Sequence, residues 1–109
     1  MYIVDLHLKG ETVVSAIDNL YSNIKLARKT KEKVMCLIVG YGSTGGSHKI
    51  KTAVLEELKK LKENNQIRGY ILGNEVYMFN ANYLALKDKD LIDKSLHGRM
   101  NEGQIVVIL

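Results

Sequence analysis

The run Val34-Met35-Cys36-Leu37-Ile38-Val39 passes directly into Gly40-Tyr41-Gly42-Ser43-Thr44-Gly45-Gly46. Six uninterrupted apolar residues have the length of a strand and fit one covered on both faces, as in parallel sheets. The glycines stop that strand and let the chain turn tightly. Beyond them Ile50, Ala53, Val54, Leu58 and Leu61 recur at helical spacing. This predicts a helix from about Ser47 to Asn64-Asn65. Strand, glycine turn and helix together form the first half of a βαβ unit.

The same alternation continues in both directions. Upstream, Val13, Ala16, Ile17, Leu20, Ile24 and Ala27 form an apolar stripe, with Ser15, Asp18, Asn19, Ser22 and Lys25 opposite. They predict a helix to about Arg28, with Thr12 as its N-cap. Before it, Tyr2 to Leu8 reads as a strand. Downstream, Ile67 to Leu72 reads as a third strand broken by Gly73-Asn74, and Gln104 to Leu109 as a last one. Between them, Glu75 to Lys87 is ambiguous between strand and loop, and Lys89 to Leu96 suits a short helix stopped by Gly98. The expected architecture is α/β: a two-layer sandwich of order βαβαβ…β, with a mixed, mainly parallel four-stranded sheet and helices packed on it. Residues 1–109 make one domain, with an insert at roughly 74–102 before the final strand.

At 109 residues, 46% apolar and 26% charged, the chain can bury one real core. Sixteen Lys and Arg against twelve Asp and Glu give a net charge of +4, compatible with a polyanionic partner without demanding one. Cys36 is the single cysteine and sits in the apolar run, which suits a buried small hydrophobe in a reducing cytoplasm. No stretch approaches the ~20 apolar residues of a membrane span. No signal-peptide pattern opens the chain, so a cytoplasmic location is expected.

The first strand carries an oddity. Period-two alternation sets Val4, Leu6 and Leu8 on one face and Ile3, Asp5 and His7 on the other, so an acid and an imidazole point the same way. A strand in a small α/β domain is expected to be mostly buried, so the pair needs a structural or chemical reason. With the first two strands parallel, His7, the glycine loop and the start of the second helix meet at one sheet edge, where ligands of open α/β sheets bind. Glycines admit close approach of an anion, a helix N-terminus offers free N–H groups, and Lys49 and Lys51 add charge. By contrast, Arg28, Lys29, Lys31, Lys33, Lys59, Lys60 and Lys62 end the two helices, where cations complement the helix dipole without any ligand.

Gly40-Tyr41-Gly42-Ser43-Thr44-Gly45 satisfies the dinucleotide pattern G-x-G-x-x-G, but it follows the second strand and lacks an acid ~20 residues on. A P-loop fails because Gly46 stands where its lysine belongs. His7, His48 and His97 show no zinc-ligand spacing. Asp5 could share a divalent ion with substrate phosphates.

Taken in order, these motifs resemble the Smr domain, the small MutS-related module at the C-terminus of MutS2 proteins and in stand-alone proteins. The family's Leu-Asp-x-His strand reads Val4-Asp5-Leu6-His7 here, and its glycine loop reads Val39-Gly40-Tyr41-Gly42. The helix start is similar to Ile50-Lys51-Thr52-Ala53-Val54-Leu55, and the short glycine-led last strand is similar to Gly103–Leu109. The resemblance implies nicking or structure-dependent cleavage of DNA or RNA, with Mg²⁺ or Mn²⁺ as candidate cofactors. It makes Asp5 and His7 the catalytic candidates. Gly40, Tyr41, Gly42, Ser43, Gly45, Gly46, His48, Lys49 and Lys51 are the nucleic-acid-binding candidates. Val39 occupies the place of a loop histidine found in many members. The loop, with Gly45 to His48 added, and the insert are both longer than usual. Two readings stand: an endonuclease, and a non-catalytic nucleic-acid or protein binding module in which the same pair props the loop. The insert could carry a specificity element or a dimer contact through Tyr77, Phe79, Tyr83 and Leu84, or these residues could finish the core.

Overall fold

In the computed structural model the chain describes residues 1–41 and 45–109, and the side chains of all of these except 45–47. The order is β1 (Tyr2–Asp5), α1 (Val13–Lys29), β2 (Val34–Ile38), α2 (Gly45–Glu63), β3 (Gly69–Leu72), α3 (Ala81–Ala85) and β4 (Gln104–Ile108). Three 3₁₀ turns, at Gly73–Glu75, Lys89–Leu91 and Lys94–Leu96, complete the insert.

The sheet order is β1-β2-β4-β3. β1 runs parallel to β2, whereas β4 lies between β2 and β3 and is antiparallel to both. The α/β class and the mixed sheet are as expected. Three strands do share one direction, yet only one of the three pairings is parallel, because the last strand enters the middle of the sheet. Its composition explains the position: Ile105, Val106, Val107 and Ile108 are all buried, which suits a strand packed on both faces.

One face carries α1 and α2 over Val4, Leu6, Met35, Leu37, Ile105 and Val107. The other face is also covered. Val34, Ile71, Val106 and Ile108 pack against Val76, Tyr83, Leu86 and Ile92 of the insert. The insert therefore adds a third layer to the expected two, beneath β2, β4 and β3. It stops short of β1, where Ile3 remains 64% exposed.

Local chemistry sets the helix ends. Thr12 caps α1 as predicted, its Oγ1 accepting from the Ser15 N–H at 3.1 Å, while Ser15 Oγ accepts from the Thr12 N–H at 2.9 Å. This is a capping box with serine in place of the usual glutamate. Both long helices end alike. In α1, Lys31 adopts φ 62° and the Glu32 N–H reaches back to the Ala27 carbonyl at 2.8 Å. In α2, Asn65 adopts φ 58° and the Gln66 N–H reaches the Leu61 carbonyl at 2.8 Å. These are Schellman endings with a left-handed residue after the helix.

Candidate functional site

Because β1, β2 and β3 share a direction, their C-terminal ends meet at one edge of the sheet, together with the start of β4. This edge carries His7 to Gly10 after β1, Gly40 and Tyr41 after β2, Gly73 after β3, and Asn101 to Gly103 before β4. α2 opens above it at Gly45. Of the expected gathering, His7, Lys9-Gly10, Gly40, Tyr41 and the first turn of α2 meet at this edge, and residues 42–44 lie outside the described residues.

Alternation sets Asp5 and His7 on one face, but β1 ends at Asp5 and both residues are exposed. β1 is an edge strand and the insert leaves its face open, so the pair carries no burial cost and needs no buried partner. The Asp5 carboxylate is engaged nonetheless: its Oδ1 accepts the backbone N–H of His7 at 2.8 Å. The preceding N–H, of Leu6, donates inward to the Ile38 carbonyl at 2.8 Å. The His7 N–H thus faces outward from the sheet, and Asp5 satisfies it. That bond ends the strand and fixes the backbone of His7 at the mouth of the edge. Carrying the β1–β2 register (Asp5 opposite Ile38) on by two residues sets His7 beside Gly40. Leu8, which alternation places in the core, lies beyond the strand and is exposed.

Gly40 has φ +79°, a left-handed conformation that would cost another residue about 1–2 kcal/mol. Its position is held from β4. The Gly103 carbonyl accepts the N–H groups of Val39 and Gly40, at 2.8 and 3.2 Å. Gly103 in turn presents its own N–H to Asn101 Oδ1 at 2.9 Å, and Gln104 Oε1 accepts the Asn101 N–H at 3.0 Å. A Cβ on Gly103 would stand 3.2 Å from the Gly40 carbonyl carbon, so the two glycines pack backbone to backbone. Asn101 and Gly103 are structural members of the site that motif reading missed. Their traces in the sequence are the turn signal Asn-x-Gly and the glycine that leads the last strand, neither of which tells their role at the edge.

Val39 is fully buried in the helix-side core. The position where a loop histidine was sought is thus given to packing. Tyr41, His48 and Lys49 are exposed and Lys51 is half-buried, all on or just above the edge. Gly42 and Ser43 lie outside the described residues, and for Gly45 and Gly46 only the helical backbone is described. Lys9 and Arg99 add exposed cations here, and Glu102 an exposed acid. Cys36 is buried, and burial pushes its thiol pKa up, so it is a packing residue rather than a nucleophile.

Among the described residues no three His, Cys, Asp or Glu side chains come together as a metal site. Asp5 offers a lone carboxylate, with one oxygen already accepting a backbone N–H. Among the described residues, the side chains at this edge do not build a Mg²⁺ or Mn²⁺ cage of their own. Among the described residues no helix is long and apolar enough to cross a membrane.

No protein-family model matches the sequence, and no curated protein does. Among solved structures the chain is similar to the Smr domain of Thermus thermophilus MutS2, with a TM-score of 0.61 and 17% identity, over 100% of this chain and 98% of that one. The chain thus has an Smr-like fold along its whole length.

Proposed function

We propose that this domain binds nucleic acid by its phosphate backbone at the C-terminal edge of the sheet, and that His7 there serves phosphodiester cleavage. The observation that carries the reading is the convergence at one edge of an exposed imidazole, a left-handed glycine and the opening of a nineteen-residue helix. Free N–H groups and the positive end of the helix dipole favour a phosphate there, and Lys49 adds a full charge. The likeness in fold to an Smr domain of a MutS2 protein agrees with this assignment.

An imidazole can take a proton from an attacking oxygen or give one to a leaving oxygen near neutral pH. Asp5 then acts as a positioning residue: its carboxylate holds the His7 backbone rather than the reacting atoms. Incubation with supercoiled plasmid and with structured RNA, with and without added divalent metal, tests the reading. The expected outcome is cleavage by the wild type, reduced ~10²-fold or more in His7→Ala, with nucleic-acid affinity kept. Asp5→Asn preserves an oxygen acceptor for the His7 N–H and should retain more activity than Asp5→Ala. Undiminished cleavage by His7→Ala would remove the catalytic assignment and leave the binding reading.

A further inference from the structure

The turn Tyr77-Met78-Phe79 is the most exposed apolar stretch of the insert. Phe79, the one phenylalanine of the chain, is 85% exposed, with Met78 and Tyr77 at 55% and 40%. The expected role of these aromatics divides here. Tyr83 finishes the core at 5% exposure, while Tyr77, Phe79 and Leu84 stay outside it.

The turn is held firmly rather than loosely. Val76, fully buried, anchors its start: its N–H donates to the Gly73 carbonyl at 3.1 Å, and its own carbonyl accepts from Gly98 at 3.0 Å. Tyr77 donates to the Glu75 carbonyl at 2.9 Å, and Asn80 closes the turn onto the Tyr77 carbonyl at 3.2 Å. Asn80 Oδ1 then caps α3 by accepting from the N–H groups of Asn82 and Tyr83. The backbone of the turn therefore has little further freedom to lose when a ligand stacks on its side chains.

Its location matters more. The chain leaves β3 at Leu72, turns through Gly73–Glu75 at the same sheet edge as Gly40, and enters this turn two residues later at Tyr77. Only β4 separates β2 from β3, so Gly40 and Gly73 stand two strand spacings apart, about 10 Å. On α2, Leu55 and Lys62 line a cavity with Tyr70, Leu72 and Glu75, so the helix runs over the β3 side of the sheet.

We infer that Tyr77 and Phe79 form a base-stacking platform for unpaired nucleotides, the backbone of the same strand lying at Gly40 and the start of α2. The inference rests on the proposed phosphate-binding edge and narrows its ligand to single-stranded or looped nucleic acid, since a duplex keeps its bases stacked inside. An aromatic face accepts any base, so the platform confers preference for unpaired strands without sequence preference.

The test uses two fluorescently labelled strands of equal length, one with bases and one abasic throughout, so that both present the same phosphates. Stacking contributes enough per base that wild type should bind the base-bearing strand about tenfold or more tightly than the abasic one. Phe79→Ala should erase that difference and leave abasic binding unchanged. Because Phe79 is exposed, this variant should melt with the wild type. The chain has no tryptophan, so Phe79→Trp supplies a single indole whose fluorescence should quench with the base-bearing strand only. Equal binding of both strands, unaltered by Phe79→Ala, overturns the platform while the phosphate edge stands. Binding of neither strand overturns the phosphate reading and the platform with it. Sedimentation showing that Phe79→Ala converts a dimer to a monomer, with strand affinity unchanged, would reassign the turn to a contact between copies.

Discussion

Gly73 is where a single added methyl should do most damage to both the fold and the edge. A Cβ built there would lie 2.3 Å from the Asn101 carbonyl oxygen and 3.1 Å from Gln104 Cβ. A comfortable carbon–oxygen approach is about 3.3 Å, so the backbone at Asn101 must retreat by about 1 Å. Asn101 cannot move alone. Its side chain holds the Gly103 N–H, and the Gly103 carbonyl holds Val39 and Gly40. Overpacking against rigid backbone costs about 1–3 kcal/mol, and more where little can yield. Replacing glycine recovers about 0.4–1 kcal/mol through the unfolded chain. The net expectation for Gly73→Ala is a loss of about 2 kcal/mol. For a domain of this size that lowers Tm by about 8–16 °C. Gly69, four residues earlier in β3, is the control: its added Cβ would meet the tip of the Leu86 side chain at 2.8 Å, which can rotate away. Gly69→Ala should stay within about 1 kcal/mol of wild type. Urea and thermal unfolding followed by circular dichroism measure both. A Gly73→Ala protein that melts with the wild type, or a Gly69→Ala protein destabilised as much as Gly73→Ala, would refute the packing described for this edge.

Thr12→Ala removes the side-chain half of the capping box on α1 and should cost about 1 kcal/mol in urea unfolding, with the m-value unchanged. Burial raises the Cys36 thiol pKa, so above about 8.5 the unfolded chain releases a proton that the native state keeps. Stability should therefore be full below that pH and fall as pH rises beyond it, a slope that Cys36→Ala flattens. A thiol reagent should label Cys36 only after denaturant is added.

Much of this architecture was legible because its signals are periodic. The stripe from Val13 to Ala27 determines α1, and the run Val34 to Val39 can only be a covered strand. The strand order was not legible, since nothing in a βαβαβ alternation says where a final strand enters. A physical hint lay in Ile105 to Ile108, apolar at every position, against β1, which alternates and lies at the margin. The third layer escaped for a different reason. Val76, Tyr83, Leu86 and Ile92 reach the core from 3₁₀ turns and a single helical turn, so they follow neither a period of two nor one of 3.6. At the site, alternation pairs Asp5 with His7, whereas β1 ends at Asp5 and His7 lies just past it. Their burial could not be read, because it depended on how far the insert extends under the sheet. The roles of Asn101 and Gly103 depend on β4 lying beside β2, a pairing across more than sixty residues.

The central claim is that nucleic acid lies along the edge formed by His7, Gly40 and the start of α2. Backbone amide chemical shifts of the labelled domain, followed by NMR as a short single-stranded oligonucleotide is added at low and then raised salt, test it most directly. Shifts are expected to concentrate at His7 to Gly10, Gly40, Tyr41, His48, Lys49 and Asn101 to Gly103, and to recede as salt competes for the phosphates. Shifts concentrated instead at the opposite edge, around Thr30 to Lys33 and Asn64 to Arg68 where the helix-capping lysines gather, would contradict it.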